Sequence, residues 1–118
     1  MQDFRKLVVW QKSHAVTLAV YRFTKAFPAD ERFGLTSQMR RAASSIGANL
    51  AEGSSRGSDT DFARFVQISV GSASEMECHL MLARDLGYLE ESCFEQLNAS
   101  VVEVKRMLIA LLKSLRST

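Results

Sequence analysis

Between Phe94 and Leu115 the apolar residues Phe94, Leu97, Val101, Val104, Leu108, Leu111 and Leu115 recur at alternating steps of three and four. That spacing draws one apolar seam along a helix of roughly six turns. A seam so regular is stable only against partner helices, which the rest of the chain must supply.

Three further segments supply them. Val9, Val16, Val20, Phe23 and Phe27 share one stripe of a helix expected from about Leu7 to Phe27. Pro28 stops it, because proline offers no amide donor and turns the preceding residue away from helical geometry. Trp10, His14, Thr17 and Tyr21 form an adjacent stripe and Leu18 widens the face, so contacts on more than one side are expected. Leu35, Met39, Ala42, Ile46 and Leu50 carry a second helix to about Ala51, with Gly53 as its expected C-terminal cap. Around that stripe Ala43, Ser44, Ser45, Gly47 and Ala48 are small enough to admit another helix closely. Gly47 weakens the helix by roughly 1 kcal/mol relative to alanine, which close packing would offset.

Ser58 reads as the N-cap of a third helix, with Asp59 and Asp61 well placed against its dipole. Its seam is Phe62, Val66, Ser69, Ala73, Met76, Leu80 and Ala83, with Phe65, Ile68, Leu82 and Leu86 alongside, and Gly87 ends it. Ser92 with Glu95 makes an S-x-x-E capping box for the last helix. Short connectors and no strand-like alternation make residues 1–118 a single all-α domain, an up-down four-helix bundle.

A chain of 118 residues, 47% hydrophobic and 24% charged, can bury a core without disulfides or metal. No run approaches the ~20 apolar residues of a membrane span. Met1-Gln2-Asp3 opens no signal peptide, so a cytoplasmic location is expected. Cys78 and Cys93 sit in no CxxC spacing and read as small, half-buried packing residues. A bundle-type di-iron site needs Glu-x-x-His on two helices, and this chain has none. Glu75 and His79, four apart, have the spacing of a helical salt bridge. Cys78 and His79 are neighbours and point about 100° apart on a helix, so they cannot act as a pair. Neither a nucleophile elbow nor a phosphate-binding P-loop is present. The segment from Gly53 to Gly57, leading into a helix start, resembles an anion cradle, but Asp59 and Asp61 would repel an anion. It reads as a cap and hinge. The expectation is a protein that is not an enzyme and has neither cofactor nor metal.

Charge carries the remaining binding signal. Residues 1–56 hold nine Lys/Arg against four Asp/Glu, a balance of +5, and residues 57–118 a balance of −3. Repetition around a symmetric oligomer would turn a few such charges per chain into an extended basic surface making salt-sensitive phosphate contacts. Lys12, Arg40, Arg41 and Arg56 are the candidate nucleic-acid-binding residues, as phosphate partners rather than base readers. The same charges could form an ordinary solvated face, or pair with Glu52 and Glu75 at a subunit boundary. The aromatic residues mostly sit at core spacings, and none alternates with the basic ones as a stacking platform.

Phe4 followed by Leu7-Val8-Val9-Trp10-Gln11-Lys12-Ser13-His14 resembles the opening signature of the bacterial four-helix-bundle proteins encoded in intervening sequences of 23S ribosomal RNA. Phe33-Gly34-Leu35-Thr36-Ser37-Gln38-Met39-Arg40-Arg41-Ala42-Ala43 and Asn49-Leu50-Ala51-Glu52-Gly53 are similar to that family too. So are Gly71-Ser72-Ala73-Ser74-Glu75 and Leu86-Gly87-Tyr88-Leu89. Gly47 departs from it, the family commonly having proline after the Ser-Ile pair. The family is in turn similar to the accessory variability determinant of diversity-generating retroelements, a pentameric barrel of bundles that binds nucleic acid and a reverse transcriptase. The resemblance therefore implies a ring-like homo-oligomer, a pentamer by analogy, with RNA or DNA and a reverse transcriptase as the partners it suggests. The expectation is a non-enzymatic, nucleic-acid-binding homo-oligomer; a purely structural protein-interaction scaffold is the alternative.

Overall fold

The chain forms four helices: α1 (Val8–Thr24), α2 (Leu35–Ser54), α3 (Asp59–Asp85) and α4 (Glu91–Arg116). The computed structural model describes residues 3–117. Met1 and Gln2, which enter the signal-peptide expectation, lie outside the described residues. A 3-10 turn precedes α1 at Phe4–Lys6, and another links α1 to α2 at Ala29–Glu31. No helix among the described residues is long and apolar enough to cross a membrane.

Helix α3 begins as the sequence predicts, with the Ser58 hydroxyl accepting the Asp61 amide at 3.2 Å. It ends in a Schellman turn: Gly87 has φ +80°, its amide reaches the Arg84 carbonyl, and the Tyr88 amide reaches that of Ala83. Only glycine takes that φ without strain.

Three termini differ from expectation. Helix α1 stops at Thr24, and Ala26 and Phe27 close a tighter turn by bonding the carbonyls of Phe23 and Thr24. Gly53 is no cap: α2 continues through it to Ser54. A Cβ at Gly53 would stand 2.7 Å from the Phe65 Cβ and 2.9 Å from the Phe62 ring. The glycine marks the place where α2 and α3 touch. The Ser92–Glu95 capping box does not form either; α4 begins two residues earlier, with Glu90 as N-cap and no side-chain bond. Leu89 is buried immediately before it, so docking of that side chain, rather than a hydroxyl cap, sets where α4 starts.

Side-chain pairs give the packing order. Gly47 of α2 faces Trp10 and Ser13 of α1, and Ser45 and Ser72 share a 2.9 Å bond between α2 and α3. Lys105 pairs with Glu77 at 3.3 Å between α4 and α3, and Lys12 with Glu103 at 3.2 Å between α1 and α4. Neighbours run antiparallel around a square, with α1 diagonal to α3. The bundle measures 45 × 23 × 20 Å.

All seven seam residues of α3 are buried, and Val20, Ile46, Leu50, Met76, Leu80, Val101 and Leu108 are wholly inaccessible. Each large one contributes about 1.5–3 kcal/mol of apolar burial. Along α4 the predicted seam holds to Leu108 and then moves to Leu112, leaving Leu111 and Leu115 half-buried. A strict seven-residue repeat drifts about 20° per heptad on a straight helix, so by the last turns the next residue faces the core. The band of small residues on α2 is largely used inside the chain: Gly47 makes room for Trp10, whose Nε1 would lie 3.1 Å from a Cβ there. Ser44 and Ala48 remain exposed. Cys78 is exposed rather than half-buried, and Cys93 is half-buried.

Candidate nucleic-acid interface

At one end of the bundle, the last turn of α1 and the first turns of α2 converge on a cluster of arginines. Thr24 is buried, and its hydroxyl donates to the Val20 carbonyl at 2.7 Å while accepting the Arg40 Nε at 2.9 Å. A second Arg40 nitrogen donates to the Tyr21 carbonyl at 3.4 Å, and the guanidinium lies 4.6 Å over the Tyr21 ring. Arg40 is thereby a half-buried, immobilised cation with donors to spare. Arg41, one residue on, is exposed, and its guanidinium makes no ion pair or hydrogen bond among the described residues.

Arg32 follows the 3-10 turn, and its guanidinium lies 5.4 Å from the centroid of the Phe33 ring. Tyr21, Arg32, Phe33, Arg40 and Arg41, with Thr36 and Ser37, line an open groove of about 300 Å³. No carboxylate lines it. Phe33 is 87% exposed, more than any other large apolar side chain among the described residues.

Glu31 holds this corner in place. One carboxylate oxygen accepts the Leu35 amide at 3.1 Å, supplying the cap that Gly34 cannot. The other accepts the Tyr88 hydroxyl at 3.0 Å from the α3–α4 turn, and the Tyr88 ring packs 5.3 Å from that of Phe27. The hydrogen bond to Glu31, then burial, then the carboxylate charge raise the Tyr88 phenol above its ordinary value near 10. A raised phenol favours the folded state below the unfolded value and stops doing so as pH climbs through the folded one. With Tyr21 replaced by phenylalanine, Tyr88 is the sole tyrosine of two. Its phenolate absorbance is expected to titrate above pH 10, and Glu31→Gln to bring that midpoint down. An unchanged midpoint would show that Glu31 does not hold Tyr88 in solution.

Of the four residues singled out from sequence, Arg40 and Arg41 share this groove, and Lys12 and Arg56 stand elsewhere. Lys12 is paired with Glu103. Arg56 pairs with Glu52 at 3.6 Å and lies 4.8 Å over Phe65, beyond the far end of α2 and roughly 20 Å along its axis from Arg40. Ser54 and Ser55 turn their hydroxyls onto the carbonyls of Ala51 and Glu52 in the last turn of α2, so the first two residues of the expected connector belong to the helix. Arg32, Phe33 and Tyr21 were not singled out from sequence. One signal was present: Phe33 belongs to no stripe and stands beside Arg32 between Pro28 and Leu35.

Arg41 also borders a second groove of about 500 Å³ between α2 and α3, lined by Gln38, Ser45, Ser72 and Glu75. Its hydroxyls satisfy each other and Glu75 is engaged with His79 at 3.0 Å, as their spacing suggests. No cluster of three His, Cys, Asp or Glu side chains suited to a metal occurs among the described residues.

A family model described as 23S rRNA-intervening sequence protein matches residues 5–110. Among solved structures, the chain is similar to a protein with unknown function from the S23 ribosomal protein family of Bacteroides thetaiotaomicron VPI-5482. The TM-score is 0.83 at 27% identity, covering 90% of this chain and 96% of that one. No curated protein matches the chain.

Proposed function

From the premise that the chain belongs to the 23S rRNA-intervening sequence protein family, we propose that it is a non-enzymatic bundle protein that binds nucleic acid, RNA foremost. The binding surface is the arginine groove at the α1–α2 end. The carrying observation is that Arg32, Arg40 and Arg41 converge on a groove with no carboxylate in its lining. Like-charged groups held together repel one another unless an anion joins them, and a phosphate chain is the polyanion suited to an open groove lined by guanidiniums. Arg41 and Arg32 act as phosphate contacts, and Arg40, pinned by Thr24, is a fixed cation beneath them.

The assembly belongs to the same proposal. Ala15 and Leu18 are exposed on the outer side of α1 together with Val8, and Ile68, Leu82 and Leu86 on the outer side of α3. Because α1 and α3 are diagonal, these apolar stripes look out from opposite corners. A contact between them is heterologous, the kind that builds a ring when its rotation closes and an open filament when it does not, rather than a two-fold dimer. Five copies, and a reverse transcriptase as protein partner, rest on the resemblance to the retroelement accessory protein alone. The same stripes favour the second reading, a scaffold that ignores nucleic acid.

One experiment separates the two. Nuclease-treated protein is titrated with a structured ribosomal RNA fragment and a DNA duplex across a salt series, with light scattering on the same samples. Binding that weakens steeply with salt is expected. Combined Arg32→Glu and Arg41→Glu should weaken it by at least tenfold and flatten the salt slope by about two, one per phosphate contact, at unchanged mass. No binding at low salt, or a charge reversal that splits the oligomer, would make the scaffold the correct reading.

A further inference from the structure

We propose that Phe33 is a stacking platform for one unpaired base, so that this end of the bundle takes single-stranded rather than duplex nucleic acid. The inference rests on the arginine-groove reading and adds the form of the strand.

A single exposed apolar side chain is ordinary on a protein surface; what sets Phe33 apart is that it lines the same groove as Arg32, Arg40 and Arg41. Phe33 is 87% exposed, and it is not on a loose tether. The Arg32 amide bonds the Ala29 carbonyl at 3.1 Å and the Gly34 amide bonds that of Glu31 at 3.0 Å. Glu31 is in turn fixed to Leu35 and Tyr88. A Cβ at Gly34 would stand 2.7 Å from the Glu31 carboxylate and would push it off its bond to the Leu35 amide. These bonds fix the backbone on both sides of Phe33, and its ring stands in solvent at the mouth of the groove.

The surroundings select the occupant. A second copy laid over Phe33 would enclose Arg32, Arg40 and Arg41 with it, against a chain whose own net charge is +2. A nucleotide suits both halves of the site, its base against the ring and its phosphate against the guanidiniums. Base–aromatic stacking of this kind tolerates any sequence and requires a base free of its duplex partner. Arg32, over the ring at 5.4 Å, offers a second planar surface beside the first.

The test compares the 118-residue chain with its Phe33→Ala and Phe33→Trp variants, using a fluorescein-labelled twelve-nucleotide oligouridylate and a blunt RNA duplex of twelve base pairs. Phe33→Ala should bind the single strand about 10- to 100-fold more weakly. Duplex affinity and the salt slope should stay unchanged, because the phosphate contacts are intact. Phe33→Trp should keep the affinity and show indole quenching on addition of the oligouridylate. If the wild-type chain binds neither probe at low salt, the arginine-groove reading itself fails, and this inference with it. If it binds and Phe33→Ala is unaffected, or loses both probes equally, only the stacking role is overturned. A changed mass for Phe33→Ala by light scattering would place the ring against another copy and overturn it as well.

Discussion

Truncating Leu80 to alanine is expected to remove about 2–5 kcal/mol of folding stability, the range for leucines emptied from well-packed cores. Leu80 is wholly inaccessible near the C-terminal third of α3, within the one core that all four helices share. Its neighbours lie on helices tied at several heights, so the cavity cannot collapse without moving a whole helix. A domain of this size holds roughly 5–15 kcal/mol in total, so this one change takes a large share of it. Urea denaturation should show the midpoint fall at an unchanged slope. The control is Met81, the next residue on the same helix and 50% exposed, where truncation to alanine should cost under about 1 kcal/mol. Equal losses at the two positions would mean that α3 is rotated from the orientation described.

Replacing Gly53 with valine is the second large effect, a loss of about 2–3 kcal/mol from overpacking. Glycine inside a helix is ordinarily a weakness, and alanine there improves it by up to about 1 kcal/mol. Gly53 reverses that sign because its Cβ would meet the Phe65 Cβ at 2.7 Å and the Phe62 carbonyl at 3.3 Å. Neither atom can swing aside, so α2 and α3 must separate. Gly71, also helical, has nothing within 4 Å of its Cβ position, and Gly71→Ala should stabilise by about 0.5–1 kcal/mol. Thermal melts of the two variants should therefore move in opposite directions. A Gly53→Val melt no lower than wild type would show that α2 and α3 are not in contact there.

Those two positions show how far the sequence reaches. The seam of α3 was readable residue by residue because burial on a helix follows a period of 3.6, and the chain displays that period directly. The cap at Ser58 and the stop at Gly87 were readable for a similar reason: each depends on one residue and its nearest neighbours. Gly53 was not. A glycine at the end of an apolar run looks the same whether it turns the chain or receives a neighbouring helix, and only the position of α3 separates the two. Ser92 failed as a cap for a related reason: Leu89 docks into the core just ahead of it, and that burial outweighs a bond worth about 1 kcal/mol.

The candidate site divides along the same line. Arg40 and Arg41 are visible as a doublet in the chain, but their partners Arg32, Phe33 and Tyr21 lie on two other segments. Lys12 and Arg56 carry the same charge in the sequence, yet are drawn to Glu103 and to Glu52 with Phe65, away from the groove. By itself the sequence determined four amphipathic helices, their order and most of the core, because those depend on periodicity and local backbone chemistry. The tertiary structure alone decided which arginines stand together, which glycine is a contact and which phenylalanine faces water. Those are distances between segments far apart in the chain, and they are settled when the bundle closes.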